Sequence, residues 1–386
     1  EKVWMSHYDT VYNLPDTFEV VAHTENCPIA AFRHKEKPIY GLQWHPEVVH
    51  TEHGATILRN FIGICKCQTN WKPASLIEKA INEIKEAIGG KKAIIALSGG
   101  IDSSTATMLA SKAIGNNLIA VFVDHGFMRE GEPEFVERTF AGLGVNIHVI
   151  DAGERFFKRL SNVVDPEKKR KIIGGEFIKV FEEIAKNTGS EFLIQGTIYP
   201  DRIESGARKG SERIKSHHNV AGIPKRILFK AIIEPLRDLY KDEVRAIGKS
   251  LNLPEEIINR QPFPGPGLAV RIIGKVTPER VGMLRRADKI VAEEIEKSKP
   301  LKEVLWQYFA VLTDTKSTGI KGDSRAYGDA LAIRAVESQE AMTASFARVP
   351  YDVLERISTR ITNDLPQITR VVYDITHKPP ATIEWE

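Results

Sequence analysis

Apolar positions recur in two rhythms, and the change between them divides the chain. Up to about residue 65, short β-like runs at 18–22, 29–32 and 39–44 sit between turn-rich stretches. After Trp71-Lys72-Pro73 the rhythm becomes helical. Pro73 suits a first helical turn, and Leu76, Ile77, Ala80, Ile81, Ile84 and Ile88 then repeat at helix spacing as far as Gly89-Gly90. Apolar runs at 93–97, 118–123, 146–150 and 191–195 follow, separated by helical patterns. That alternation predicts a parallel sheet covered on both faces.

The run Gln261-Pro262-Phe263-Pro264-Gly265-Pro266-Gly267 breaks all periodicity. Beyond it the pattern predicts a strand at 268–273, a helix at 277–297 and a strand at 304–312. A Gly-rich stretch, a helix at 350–363 and a strand at 368–375 complete a small α+β domain. The expected domains are therefore 1–66, 72–260 and 261–386, with no internal repeat.

Composition narrows the class. The 386 residues, 42% hydrophobic and 27% charged, suit a soluble protein of two or three domains. The longest uncharged apolar runs, 93–97 and 118–123, fall far short of the roughly 20 residues a membrane helix needs. Lys and Arg number 54 against 51 acidic residues, so net charge calls for neither a nucleic-acid nor a membrane partner. Cys27, Cys65 and Cys67 cannot build a disulfide framework, which points to the cytoplasm, and no secretory h-region is expected before the first domain. The chain opens at Glu1, and Val3-Trp4-Met5 reads as protein interior; the working protein is expected to extend upstream.

The sharpest chemical signal is Ser98-Gly99-Gly100-Ile101-Asp102-Ser103-Ser104, between a buried-strand pattern and a helix expected at 105–114. Small residues let backbone N–H groups approach a phosphate, and the helix N-terminus favours the anion. The serines add donors, and Asp102 suits Mg²⁺, which takes oxygen ligands. It is not a Walker A loop: the only Gly-Lys-Ser, at 248–250, has Glu243 where the first glycine should stand.

Ser-Gly-Gly-x-Asp-Ser resembles the pyrophosphate loop of the ATP pyrophosphatases. The resemblance implies cleavage of ATP between the α and β phosphates, adenylation of a substrate oxygen, and displacement of AMP by a nitrogen or sulfur nucleophile. Several activities share the loop, among them GMP, NAD, argininosuccinate and asparagine synthetases and tRNA-thiolating enzymes.

Further strings narrow the choice. Gly41-Leu42-Gln43-Trp44-His45-Pro46-Glu47, followed by Thr51-Glu52-His53-Gly54, resembles the class I glutamine amidotransferase part of GMP synthetases. There His45 and Glu47 would activate a cysteine in an upstream Gly-x-Cys-x-Gly elbow. No such elbow stands in this sequence, so residues 1–66 are expected to be the end of an amidotransferase domain. As written, the chain is expected to use free ammonia and not glutamine. Asp165-Pro166-Glu167-Lys168-Lys169-Arg170 matches a helix opening in the same family, where Arg170 is implied to grip a nucleotide phosphate.

Gln195-Gly196-Thr197-Ile198-Tyr199-Pro200-Asp201, with Glu204, leads into a Lys-rich flap that resembles the family's lid. Lys215 would there offset phosphate charge, and Asp201 and Glu204 are the matching acids at its base. Residues 206–212 do not align with the family pattern. The adjacent His217 and His218 lack a matching ligand spacing for zinc. The tail Lys378-Pro379-Pro380-Ala381-Thr382-Ile383-Glu384-Trp385-Glu386 matches the end of GMP synthetases. Lys378, Thr382, Ile383 and Glu384 are implied to contact xanthosine monophosphate (XMP). One departure, Tyr8 for the usual glycine, lies in the amidotransferase part.

The resemblance, in family order along nearly all of the chain, implies an α/β protein. Its parts would be a parallel-sheet, adenine-nucleotide α-hydrolase-like ATP pyrophosphatase domain, an α+β dimerisation domain and an incomplete amidotransferase domain. ATP, XMP and glutamine or ammonia are the implied substrates, with Mg²⁺ as cofactor and a homodimer as the assembly. Another ATP-pyrophosphatase amidating enzyme, such as an NAD synthetase, is the alternative; a non-catalytic nucleotide-binding module is the other.

Overall fold

Neighbouring residues of the central strands face opposite cores, as a sheet covered on both sides requires. Ile94 and Val121 pack into one core, and Ile95 and Phe122 into the other. The computed structural model describes residues 1–48, 50–68, 73–201, 229–338, 341 and 343–386. They form two units, Glu1–Lys72 and Pro73–Glu386.

In the first unit, β1 (Phe18–Ala22), β2 (Ala31–His34) and β3 (Tyr40–Leu42) form an antiparallel sheet in chain order, followed by helix α1 (Gly54–Ile64). The second strand begins two residues later than its apolar run, because Ile29 and Ala30 are buried within the turn that enters it.

The second unit opens with α2 (Pro73–Ile88), which buries Ala80, Ile84 and Ile88 at helix spacing. Strands β4 (Ala93–Ala96), β5 (Leu118–Asp124), β6 (Ile147–Asp151), β7 (Phe192–Ile194) and β8 (Ala231–Ile233) form a parallel sheet in the order β6-β5-β4-β7-β8. Helices α3 (Ile101–Ile114), α4 (Glu132–Gly142), α5 (Gly153–Leu160) and α6 (Pro166–Thr188) are the crossovers. The Asp165 carboxylate caps α6 by accepting from the Lys168 amide at 2.7 Å, and Gly189, left-handed at φ 67°, ends it. Helices α7 (Lys241–Ser250) and α8 (Glu255–Ile258) complete this half of the unit.

Beyond the Pro/Gly run, α9 (Pro278–Glu296), α10 (Lys299–Val304) and α11 (Tyr351–Asp364) accompany β9 (Gln307–Lys321), β10 (Ser324–Glu337), β11 (Ser345–Phe346) and β12 (Ile368–Tyr373). Strand β10 pairs antiparallel with β9 and β11 and parallel with β12. One core runs from Ile94 and Val121 through Leu268 and Ile272 to Leu284, Leu331 and Ile357. The two halves of this unit are thus packed as one body.

Three expectations are corrected. The helix expected at 105–114 begins at Ile101, so the last four of the seven residues Ser98–Ser104 form its first turn. The strand expected at 268–273 is a 3₁₀ turn over Gly267–Arg271, all five residues of which are buried. The strand expected at 304–312 starts at Gln307 and runs to Lys321, because the polar and Gly-rich residues after it pair with β10 in a long hairpin.

Candidate active site

Strand β4 is followed by β5 and β6 on one side and flanked by β7 on the other. The strand order therefore reverses between β4 and β7, and the crevice at their carboxyl ends is the position where open α/β sheets bind ligands. Ser98-Gly99-Gly100 leaves β4 at that point and opens α3.

The loop is knitted by its own hydroxyls. The Ser98 amide donates to Ser103 Oγ at 3.1 Å, the two serine hydroxyls lie 2.9 Å apart, and Ser103 Oγ donates to the Gly100 carbonyl at 3.1 Å. Gly99 sits at φ 75°, and a Cβ there would come within 3.0 Å of both Arg260 and Val136. Gly100, the N-cap, offers no side-chain cap, so the first-turn amides of α3 are available to an anion. The Ile101 side chain belongs to the core and contributes only its backbone to such a site. Ser104 is fully buried, its hydroxyl without a hydrogen-bond partner among the described residues.

Asp102 has two differently placed oxygens. Oδ2 accepts from Lys241 Nζ at 2.5 Å, while Oδ1 is buried without a hydrogen-bond partner among the described residues. A buried carboxylate oxygen in this position suits a hard divalent cation. From the neighbouring strand, Gly196 closes on the loop so tightly that a Cβ there would lie 2.8 Å from the Asp102 carbonyl carbon. Asp201 Oδ2 accepts from the Ile198 amide at 3.1 Å, which caps the turn after β7. Glu204, Lys215, His217 and His218 lie outside the described residues.

Arg260 reaches the loop from the far end of the domain. Its guanidinium donates to the Gly99 carbonyl at 3.4 Å and pairs with the buried Glu132. His125, at the end of β5, is fully enclosed. Its Nδ1 accepts from the Phe127 amide at 3.1 Å, which leaves Nε2 to donate to the Gly265 carbonyl at 3.3 Å. Burial pulls its pKa down to about 4, so the ring is neutral at pH 7.

The tail enters a second cluster. The Glu384 carboxylate takes two bonds from Arg271, at 3.0 and 2.8 Å, and one from Gln307 Nε2 at 2.9 Å. Arg271 is fully buried, and its charge centre lies 3.9 Å from the centre of the Phe309 ring. Burial works against its charge, but Glu384 and Asp288 outweigh it and hold the pKa above the usual arginine value. Ile383 anchors the tail among Phe309, Val311 and Val336. Thr382 Oγ1 donates to the Glu384 carbonyl. Lys378 Nζ donates to the Ala341 carbonyl at 2.6 Å, and Arg170 donates to the main-chain oxygen of Glu386. Each residue the sequence assigned to the nucleotide from this region is thus engaged within the chain.

In the first unit, His45 Nδ1 lies 2.8 Å from Glu47 Oε1. The backbone amide of Glu47, opposed by slight burial and aided by His45, holds the Glu47 carboxyl below its usual value. The main chain of His45 is tied down: Thr51 Oγ1 donates to the His45 carbonyl at 2.6 Å and accepts from the Trp4 amide at 3.1 Å.

Lys241, Arg260, Arg271 and Gln307 were not singled out from the sequence. Two carried a signal. Lys241 opens a helix, where a cation opposes the dipole, and Arg271 is a lone charge in the apolar run 268–273.

Three family models match the chain: glutamine amidotransferase class-I over residues 1–64, NAD synthase over 74–176 and GMP synthase C terminal domain over 293–385. The chain is 58% identical over 386 residues to GMP synthase [glutamine-hydrolyzing] of Caldicellulosiruptor saccharolyticus, covering 99% of this chain and 75% of that relative. The protein of the same name from Acetivibrio thermocellus is 56% identical with the same coverage. Among solved structures, that of NMN synthetase from Francisella tularensis is similar at a TM-score of 0.41, with 17% identity over 55% of this chain and 85% of that one.

Proposed function

The chain belongs to the glutamine-hydrolysing GMP synthase family, and from that membership we propose how its residues divide the reaction. The relatives' name gives GMP synthesis with glutamine hydrolysis; the reaction proposed is the ATP-dependent amination of XMP to GMP through an adenyl-XMP intermediate, with release of AMP and pyrophosphate. Ammonia is drawn from glutamine in the intact enzyme.

The xanthine 2-oxygen is a poor leaving group, so it must first be made into one; adenylation does this. Ser98, Gly99, Gly100 and Ser103, with the first-turn amides of α3, hold the β and γ phosphates. Asp102, through Oδ1, which has no partner among the described residues, fits a Mg²⁺ ion, which when bound neutralises charge on the phosphates. Lys241 supplies a second cation beside the loop. Lys215, and Glu204 with Asp201, are assigned to the lid and its base by family pattern. Arg170, Lys378, Thr382, Ile383 and Glu384 are assigned to XMP. His45 and Glu47 are assigned as base and orienting acid for a cysteine that residues 1–386 do not contain. The protein is further proposed to act in the cytoplasm as a homodimer, without nucleic acid or membrane.

The observation that carries this reading is the phosphate loop at the switch point of the sheet, in a chain matched to GMP synthases along its whole length. The test is AMP and pyrophosphate release with ammonia as donor. XMP-dependent release is expected; release driven by a nicotinate dinucleotide and not by XMP would favour the NAD synthetase alternative.

A further inference from the structure

A lysine with no exposed surface is costly unless its ammonium is fully paired. Lys169 is such a residue, with 0% exposure. Its three donors are used: on the Ile272 carbonyl at 2.6 Å, on the Ala269 carbonyl at 3.4 Å, and on the Glu386 carboxylate. Arg170, next in the chain, donates to the main-chain oxygen of the same glutamate. Lys169 therefore joins three segments: its own helix α6, the 3₁₀ turn 267–271 with its exit, and the tail.

Two of those segments carry the two sides of one pair. Arg271 lies on the turn that Lys169 grips, and Glu384 lies on the tail that Lys169 also grips. On its other side Glu384 is held from the sheet, by Ile383 in the core and by Arg334, which donates to the Thr382 carbonyl at 3.2 Å. Glu384 is thus bracketed by a core anchor before it and a charge anchor after it. Without the second anchor, the tail beyond Ile383 loses its tie to α6 and Glu384 can swing from Arg271 and Gln307.

We propose that Lys169 and Glu386 are positioning residues for XMP, setting the spacing of Arg271 and Glu384 without touching the nucleotide. The proposal rests on the reading of Glu384 as an XMP contact. Displacement of a binding group by about 1 Å weakens a preorganised site by one to two orders of magnitude, and the loss should fall on XMP alone, since the phosphate loop is held by other residues.

The test is steady-state kinetics of the full chain with ammonia as donor, for Glu386→Ala, Glu386→Gln and Glu384→Ala, with thermal melting of each. Glu386→Ala is expected to raise the KM for XMP about tenfold or more, with the KM for ATP within about twofold of the parent. Glu386→Gln keeps an acceptor for the ammonium and is expected to recover most of that loss. An unchanged KM for XMP in Glu386→Ala, beside a raised one in Glu384→Ala, would overturn the positioning role. Equal rises for ATP and XMP would also overturn it, by showing a general loss of structure. An unchanged KM for XMP in Glu384→Ala would sink the reading of Glu384 itself, and the proposal with it.

Discussion

Gly196→Ala tests the geometry of the phosphate loop from outside it. An added Cβ would stand 2.8 Å from the Asp102 carbonyl carbon, 2.9 Å from its oxygen and 2.9 Å from the Ser103 amide nitrogen, where ordinary contact begins near 3.4 Å. All three are backbone atoms of the first turn of α3, so no flexible side chain can absorb the clash. Relief requires the strand end or the loop to move by about 0.6 Å, comparable with the roughly 0.5 Å tolerance of a working site. We expect kcat/KM for ATP to fall about 10- to 100-fold and stability to fall by about 1–3 kcal/mol. Ammonia-supported GMP formation at varied ATP, with denaturant unfolding, reads both. Gly175→Ala is the control: it lies exposed within α6 with nothing among the described residues within 4 Å of the new methyl. It should leave kinetics unchanged and add about 0.5–1 kcal/mol of stability. Parental kcat/KM for ATP in Gly196→Ala would refute the close packing of strand end and loop.

Other outcomes follow from the same contacts. Asp102→Asn is expected to cut XMP-dependent pyrophosphate release by about a hundredfold or more; near-parental release would remove Asp102 from the phosphate chemistry. Arg260→Met removes the donor to the Gly99 carbonyl and takes from the buried Glu132 its partner Arg260. It should raise the KM for ATP while sparing that for XMP, and a change in XMP alone would contradict the assignment of Arg260 to the loop. His125 should titrate near 4 rather than near 6.5. Its folded value lies below the unfolded one, so the unfolded chain takes up the proton first and stability falls as pH drops between those two values. An NMR titration of the ring that ends near 6.5 would contradict its burial.

What the sequence revealed depended on how local the signal was. The apolar runs at 93–97 and 118–123 read as covered strands, and became β4 and β5, because both faces of each are buried. The run 268–273 read the same way yet is a 3₁₀ turn: a short, fully buried segment has no periodicity to tell strand from turn. The hairpin beyond Leu312 was obscured because Thr313–Lys321 is mostly polar and exists as strand through its pairing with β10. In the candidate site, the loop Ser98–Ser104 stood out as one contiguous string. Lys241 and Arg260 were not, since they meet the loop from 139 and 161 residues away. The tail was found by family pattern, but its docking onto Arg271, Gln307 and Lys169 is a property of the fold alone.

The central claim is that this chain's site adenylates the 2-oxygen of XMP before ammonia replaces it. XMP carrying ¹⁸O at that position, incubated with the protein, ATP and ammonia, tests this in one mass spectrum. The expected result is one ¹⁸O in the phosphate of AMP and none in pyrophosphate. Unlabelled AMP, with the isotope recovered in water or in pyrophosphate, would contradict it.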